Sequence, residues 1–532
     1  MNERATITFE PSGRTVSVPV GSTLLEAARV AGVEIDSPCG GTGTCGSCRV
    51  RATGALSAMS GSERELLGGA GVTAGKRLAC RARAEGDATV LLPDAPREAR
   101  VVSAARHRAA EVQPPLARGI ERVGDVYGTA VDIGTTTVAA ELVDLRTGAV
   151  LASAGELSAQ RSSGADVLSR VARASAGDAT ALHDAIVGQV DAMTTRMLAE
   201  AGVSVDTLAE SVVVGNVAMT GLFLGRDVSA LGEAPYEGAP LAGSHARPAS
   251  IGSALPDSVD VIVPQAPSAF IGSDVTAGMI ATALAERVTP TLYIDLGTNG
   301  EIVLAARGQL LAASTAAGPA LEGASIECGM RAETGAIEQV SFADGALTLG
   351  VIGEREPAGI CGSGLLDLIA VLLDTGLIDA TGRLLDPVGH PLRMRITEHN
   401  GSRAFLVSDG ILLTQQDVRQ VQLAVGAVRT GIELLLAEAA LAPSAIVTVV
   451  VAGGFGYHVR AASLVRLGLL PPVWFDRVDF AGNTALAGAR MLLVNGELRE
   501  TALLVAERVR TIDLAAHPEF QQRFIASLTF PA

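Results

Sequence analysis

Aromatic side chains are scarce: one tryptophan, four tyrosines and eleven phenylalanines among 532 residues. Single-stranded nucleic acid is held by aromatic platforms in a positive groove. This chain has few such platforms, and its formal net charge is −16. The same charge disfavours nucleic acid in general and anionic membrane surfaces. Uninterrupted apolar runs long enough to span a bilayer are missing as well. The most apolar stretch, residues 431–452, is broken by Glu433, Glu438 and Pro443, which predicts a buried helix followed by a buried strand. Residues 1–9 are polar and strand-like and lack an apolar signal region, so the expected location is cytoplasmic. The seven histidines show no metal-ligand spacing. No Walker A sequence occurs, which disfavours a P-loop NTPase. What the chain does have is length and apolar content for two to four domains with large cores.

Four of its six cysteines, Cys39, Cys45, Cys48 and Cys80, read C-x5-C-x2-C with the fourth about thirty residues on. A [2Fe–2S] cluster needs four thiolates and small residues between them, so that backbone amides approach the sulfurs. Gly40, Gly41, Gly43 and Gly46 supply that room. Zinc is the rival reading, but zinc sites favour two short knuckles and Cys80 has no nearby second cysteine. Disulfides are disfavoured because nothing marks the chain as secreted. Residues 6–9 and 15–18 alternate like a hairpin. Ser22 and Thr23, with Glu26 behind them, open a helix. The first 94 residues resemble a ferredoxin, with the longer first gap of the adrenodoxin type. Cys328 and Cys361 are too few for a second cluster, and Cys361 is expected to be a buried apolar thiol.

Beyond residue 94 the composition turns to Arg, Ala and Pro, and residues 95–126 read as a linker. Alternating strands and helices follow, the mark of an α/β architecture. A strand-turn-strand design occurs twice. Asp132 precedes Gly134, Thr135 and Thr136; Asp295 precedes Gly297, Thr298, Asn299 and Gly300. The glycine lets backbone N–H groups reach phosphate oxygens. The hydroxyls add donors, and the aspartate suits Mg²⁺ held through water. A third element, Ile446 to Ala452, runs into Gly453, Gly454 and Gly456, where a nucleotide would lie close to backbone.

These three motifs resemble the phosphate-1, phosphate-2 and adenosine motifs of the actin, sugar-kinase and heat-shock-chaperone ATPases. Residues 212–220 and 480–489 resemble the two connecting segments. The resemblance implies a two-lobed fold closing over ATP, with lobe I at 127–285 and lobe II at 286–532. A ferredoxin joined to that fold resembles the reductive activators of corrinoid proteins, as do residues 160–170, 317–323 and 359–365. The expected fold is therefore α/β multidomain: a β-grasp [2Fe–2S] domain, a linker and an actin-like ATPase. The implied function is ATP-dependent reduction of a cobalt(II) corrinoid on a corrinoid protein or methyltransferase, with an external low-potential electron donor. Gln160 or Asp166 is a candidate to orient the attacking water, and Ser363 to approach the corrinoid. Other classes are a metabolite kinase, which leaves the cluster unexplained, and a carrier or sensor without ATP turnover. An activator of radical dehydratases does not fit, because its [4Fe–4S] cluster lies between two subunits.

Overall fold

The computed structural model describes residues 4–33, 35, 37, 41, 43, 48–73, 75–92, 112, 125–164, 166–236, 238–239, 241–323, 325–453 and 459–531. The expected linker lies almost wholly outside the described residues. The chain divides into two compact units, Met1–Arg97 with Ala159–Asp178, and Glu98–Ser158 with Ala179–Ala532.

The first unit contains β1 (Arg4–Glu10), β2 (Arg14–Pro19), α1 (Leu24–Val30), β3 (Arg49–Leu56), α2 (Gly61–Thr73), β4 (Lys76–Leu78) and β5 (Ala84–Leu91). The strands form one sheet in the order β2-β1-β5-β3-β4, with β1 and β5 parallel. Alternation in β1 puts Ala5, Ile7 and Phe9 inside, facing Leu24, Leu25, Val50 and Val90 in one core. Thr23 and Glu26 form the capping box of α1, which satisfies two otherwise orphaned backbone donors. This is a β-grasp arrangement.

The second unit opens with β6 (Tyr127–Ile133), β7 (Thr137–Asp144) and β8 (Val150–Leu157). The chain then passes through α3 (Val167–Arg173), which belongs to the first unit. It returns in α4 (Ala179–Ala201), β9 (Leu208–Gly215), α5 (Val217–Phe223), β10 (Ser244–Ala246), β11 (Asp260–Val263) and α6 (Ser273–Ala281). The strands form a sheet ordered β10-β11-β9-β6-β7-β8. A second large sheet begins with β12 (Thr291–Leu296), β13 (Gly300–Ala306) and β14 (Gln309–Thr315). An excursion follows: β15 (Ala336–Ala343), β16 (Ala346–Val351), β17 (Gly359–Ile360), α7 (Gly362–Asp374), β18 (Ile396–His399), β19 (Ser402–Ser408) and β20 (Ile411–Thr414). Then come α8 (Gln415–Glu438), β21 (Thr448–Ala452), α9 (Ala461–Arg466), β22 (Val478–Gly482), α10 (Thr484–Val494), α11 (Gly496–Arg508), β23 (Val509–Thr511) and α12 (Phe520–Ser527). The second sheet is ordered β22-β21-β12-β13-β14-β23.

The duplication seen in sequence is a duplication of topology. In each lobe an antiparallel three-strand meander is flanked by a parallel strand, β9 beside β6 and β21 beside β12. Such strands, buried on both faces, read as near-continuous Val and Ile runs, as Val212 to Val214 and Val449 to Val451 do. The apolar stretch 431–452 is the end of buried α8 followed by β21. Among the described residues no helix is long and apolar enough to cross a membrane.

The lobes meet through α10. It follows β22 of the second lobe, yet packs on α6, β6 and β9 of the first. Gly488 permits this: a Cβ there would stand 2.0 Å from the carbonyl oxygen of Ala277 in α6. A backbone atom cannot yield as a flexible side chain can, so Gly488→Val should overpack the seam. Overpacking typically costs about 1–3 kcal/mol. The expected result is a lower urea midpoint for the second unit with the slope unchanged; an unchanged midpoint would refute this account of the seam.

Candidate functional site

The first site is built around Cys48 and Cys80. Cys48 immediately precedes β3, and Cys80 lies two residues beyond β4. Both are buried, and their sulfurs are 3.2 Å apart, well beyond the roughly 2.05 Å of a disulfide bond. The Cys80 N–H donates to the Cys48 sulfur at 3.5 Å, the kind of contact that stabilises a thiolate. Glu63 of α2 fixes this corner. Its Oε1 accepts from Arg77 Nε and from the Leu78 N–H, each at 2.9 Å, while almost fully buried. Two converging sulfurs with an amide donor suit a cluster that takes four thiolates. Cys39 and Cys45 lie outside the described residues. Cys328 sits far along the chain against Gly410 and Leu412, and Cys361 is buried, as expected.

The second site is a cleft of about 240 Å³ between the two lobes. Both turns of the duplicated hairpins line it, with Asp132, Gly134, Thr135 and Thr136 from the first and Asp295, Gly297, Thr298 and Asn299 from the second. Asn483, the N-cap of α10, accepts from the Leu486 N–H at 2.9 Å and donates to Asp132 Oδ2 at 3.0 Å. Its neighbour Thr484 lies 2.8 Å from the Tyr293 hydroxyl, which donates to Asp295 Oδ2 at 3.2 Å. Asn216, the N-cap of α5, donates to Thr135 Oγ1 at 3.0 Å. Gly453 has φ +99°, and a Cβ there would meet the Leu296 carbonyl oxygen at 2.4 Å. Only glycine fits this close approach of the third motif to the second aspartate.

The floor of the cleft is electrostatically frustrated. Asp132, Asp274 and Asp295 keep some surface open to the cleft, yet protein surrounds them. Loss of water pushes Asp132 up to about 7, with a donated bond from Asn483 opposing and the charge of Asp295 adding. It pushes Asp274 up to about 8, reinforced by Asp132 and Asp295. Asp295 is raised to about 6 by the same desolvation, against the Tyr293 hydrogen bond. Glu301 is raised well above the ordinary range, first by burial and then by Asp274 and Asp295. Such a group of carboxylates favours protons or a cation. Among the described residues no three acidic, histidine or cysteine side chains converge as a direct metal cage.

Not every expected residue lines the cleft. Gly300 is not in the cleft lining: its α-carbon faces Thr315 and Val428, where a Cβ would clash at 2.6 and 2.9 Å. Asp166 caps α3, accepting from the Ser169 N–H at 2.8 Å and the Ser169 hydroxyl at 2.7 Å. Gln160 accepts from buried Arg170 at 3.2 Å. Ser363 lines the cleft and donates to the Glu338 carbonyl at 2.9 Å. Gly454 and Gly456 lie outside the described residues. Sequence reasoning missed Asp274, Glu301, Glu322 and the roles of Asn216 and Asn483. For the two asparagines a signal existed: each follows a strand-ending glycine, as Gly215-Asn216 and Gly482-Asn483. Asp274 and Glu301 are brought in only by folding.

Two outcomes are expected. Removing one partner of a buried pair costs about 3–5 kcal/mol. Glu63→Ala should therefore loosen the Cys80 corner, seen as a lower melting temperature and lower iron content; full iron retention would refute the positioning role. In the cleft, raised pKa values mean that Asp132 gives up its proton between pH 6 and 8, while Asp274 has lost only about half of its proton by pH 8. A cation must displace those protons. Mg²⁺-nucleotide affinity should therefore rise between pH 6 and 8, by up to about tenfold per pH unit for each proton displaced. Calorimetry in buffers of different ionisation enthalpy should show proton release, and pH-independent binding would contradict the charge state derived above.

Comparison with known proteins accords with this geometry. Residues 7–85 match the 2Fe-2S iron-sulfur cluster binding domain, residues 127–287 the RACo middle region, and residues 289–532 the C-terminal ASKHA domain of RACo. The chain is 34% identical over 426 residues to the corrinoid activation enzyme RamQ of Eubacterium limosum, covering 77% of this chain and 71% of that protein. It is 26% identical over 438 residues to the [Co(II) methylated amine-specific corrinoid protein] reductase of Methanosarcina barkeri, covering 76% and 77%. The solved structure of a reductive activator for corrinoid, iron-sulfur protein superposes with a TM-score of 0.73 at 27% identity, over 99% of this chain and 98% of that one. With its [2Fe–2S] domain joined to a duplicated nucleotide-binding fold, the chain belongs to the family of reductive activators of corrinoid proteins.

Proposed function

We propose that this protein returns an inactive cobalt(II) corrinoid, held on a partner protein, to cobalt(I) at the expense of ATP. The observation that carries this reading is the presence, in one chain of this family, of a converging thiolate pair and a cleft floored by paired aspartates. A [2Fe–2S] centre supplies single electrons, and Cys39, Cys45, Cys48 and Cys80 are the residues to hold it.

The electron step is uphill if the cluster potential lies above that of the cobalt couple. For one electron, about 59 mV is a factor of ten, or roughly 1.4 kcal/mol. ATP can bias such a transfer only through different affinities for different protein states. The cleft offers the means. Asp132 belongs to one lobe and Asp295 to the other, so Mg²⁺-ATP engaging both would favour the closed arrangement. Thr135, Thr136, Thr298 and Asn299 would hold phosphate oxygens, and Gly453 would leave room for the nucleotide. The α10 seam would carry closure to the rest of the unit, because its N-cap Asn483 bonds Asp132 and Thr484 reaches Asp295 through the Tyr293 hydroxyl.

The test is cobalt absorbance under anaerobic conditions with a chemical reductant and a corrinoid protein from the same gene cluster. ATP should accelerate formation of cobalt(I), and hydrolysis should rise when the cobalt(II) partner is added. Cys80→Ser in the full chain should abolish reduction while sparing nucleotide binding. Asp295→Ala should weaken Mg²⁺-nucleotide binding and remove the acceleration by ATP, leaving the cluster absorbance intact. Equal rates with and without ATP would exclude the activator reading and leave an electron carrier; a phosphorylated metabolite would point to a kinase.

A further inference from the structure

Two acidic side chains of the cleft, Asp274 and Glu322, have no place in the hairpin motifs, and the second stands against both phosphate turns. Glu322 ends the 3-10 turn Pro319–Glu322, set between Gly318 and Gly323 at φ of 75° and 78°. Its Oε2 accepts from Thr136 Oγ1 at 2.7 Å and from Thr298 Oγ1 at 3.2 Å. Those two hydroxyls are 3.1 Å apart, one from each hairpin turn. A single carboxylate oxygen thus stands where the two phosphate turns converge. Carboxylate and phosphate oxygens are alike as anionic hydrogen-bond acceptors. The hydroxyl pair that faces Glu322 is therefore suited to face the terminal phosphate of a nucleotide. The other acids of the floor are committed differently: Asp132 to Asn483, Asp295 to Tyr293, Asp274 to the Val275 N–H and Glu301 to the Asn299 side chain. Gln160 and Asp166 have the local partners described above.

Building on the reading of this cleft as an ATPase site, we propose that Glu322 is the general base of hydrolysis. On nucleotide entry it hands Thr136 and Thr298 to the terminal phosphate and accepts a water instead. The water oxygen bonds to the γ-phosphorus as the bond from that phosphorus to the β–γ bridging oxygen breaks. The proton of the water passes to the Glu322 carboxylate, and the electron pair of the broken bond leaves on ADP. Orthophosphate is the other product, and Glu322 then returns its proton to solvent.

The experiment uses the full chain with its cluster. E322Q keeps the shape and an acceptor oxygen but cannot take the proton. ATP affinity should stay within about threefold, while single-turnover hydrolysis falls by about a hundredfold or more, the range of a lost general base. E322D should retain intermediate activity. Added formate should partly restore E322A in proportion to its concentration, by supplying the missing carboxylate. Hydrolysis by E322Q within about threefold of the unmodified protein would overturn the proposal. So would loss of ATP affinity, or a raised Mg²⁺ requirement, since either makes Glu322 a binding or metal-holding group. Cluster absorbance and the melting curve of E322Q control for folding, and E322D tests the same point if E322Q does not fold. Absence of nucleotide binding by the unmodified protein is a separate outcome, and it would refute the ATPase reading together with this proposal.

Discussion

Two adjacent residues at the start of one helix hold both aspartates of the cleft. Asn483 bonds Asp132 directly, and Thr484 reaches Asp295 through the Tyr293 hydroxyl. Neither aspartate would choose its position alone, because burial raises the pKa of both, with the charge of Asp295 adding at Asp132 and that of Glu322 at Asp295. The helix can reach both because Gly488 lets it lie against the backbone of α6. A void of side chain at one position thus lets a frustrated set of charges persist in two facing lobes.

That frustration explains the cleft better than any single residue does. A carboxylate-rich floor is unfavourable when dry and uncompensated. A divalent cation carrying phosphate would relieve it. The motif acids lie one on each meander, and the asparagine caps follow β9 and β22. Glu322 ties the two turns together through the hydroxyls of Thr136 and Thr298.

The cluster site follows a different logic. Its sulfurs are held by a β-grasp core and by Glu63, which clamps β4 just ahead of Cys80. Electron transfer and nucleotide hydrolysis thus rest on separately built frames within one chain. Such separation is what the proposed mechanism needs, since the electron carrier and the nucleotide-sensing lobes respond to different ligands.

Much of this was legible in the residues. The cysteine spacing and its glycines identify the cluster domain because thiolate geometry tolerates few spacings. The paired Asp-x-Gly-Thr turns mark the phosphate hairpins because the turn, its glycine and its hydroxyls are neighbours in the chain. The capping box at Thr23 and the buried helix and strand of residues 431–452 are local in the same sense. What the sequence could not order was anything assembled across distance. Asp274 and Glu322 enter the cleft from segments with no resemblance to a phosphate turn, and Gly300 leaves it because a strand pairing turns its α-carbon toward α8. Local rules settle which turns form; only the close approach of the lobes decides which carboxylates share one low-dielectric space, because desolvation and repulsion act through space and not along the chain.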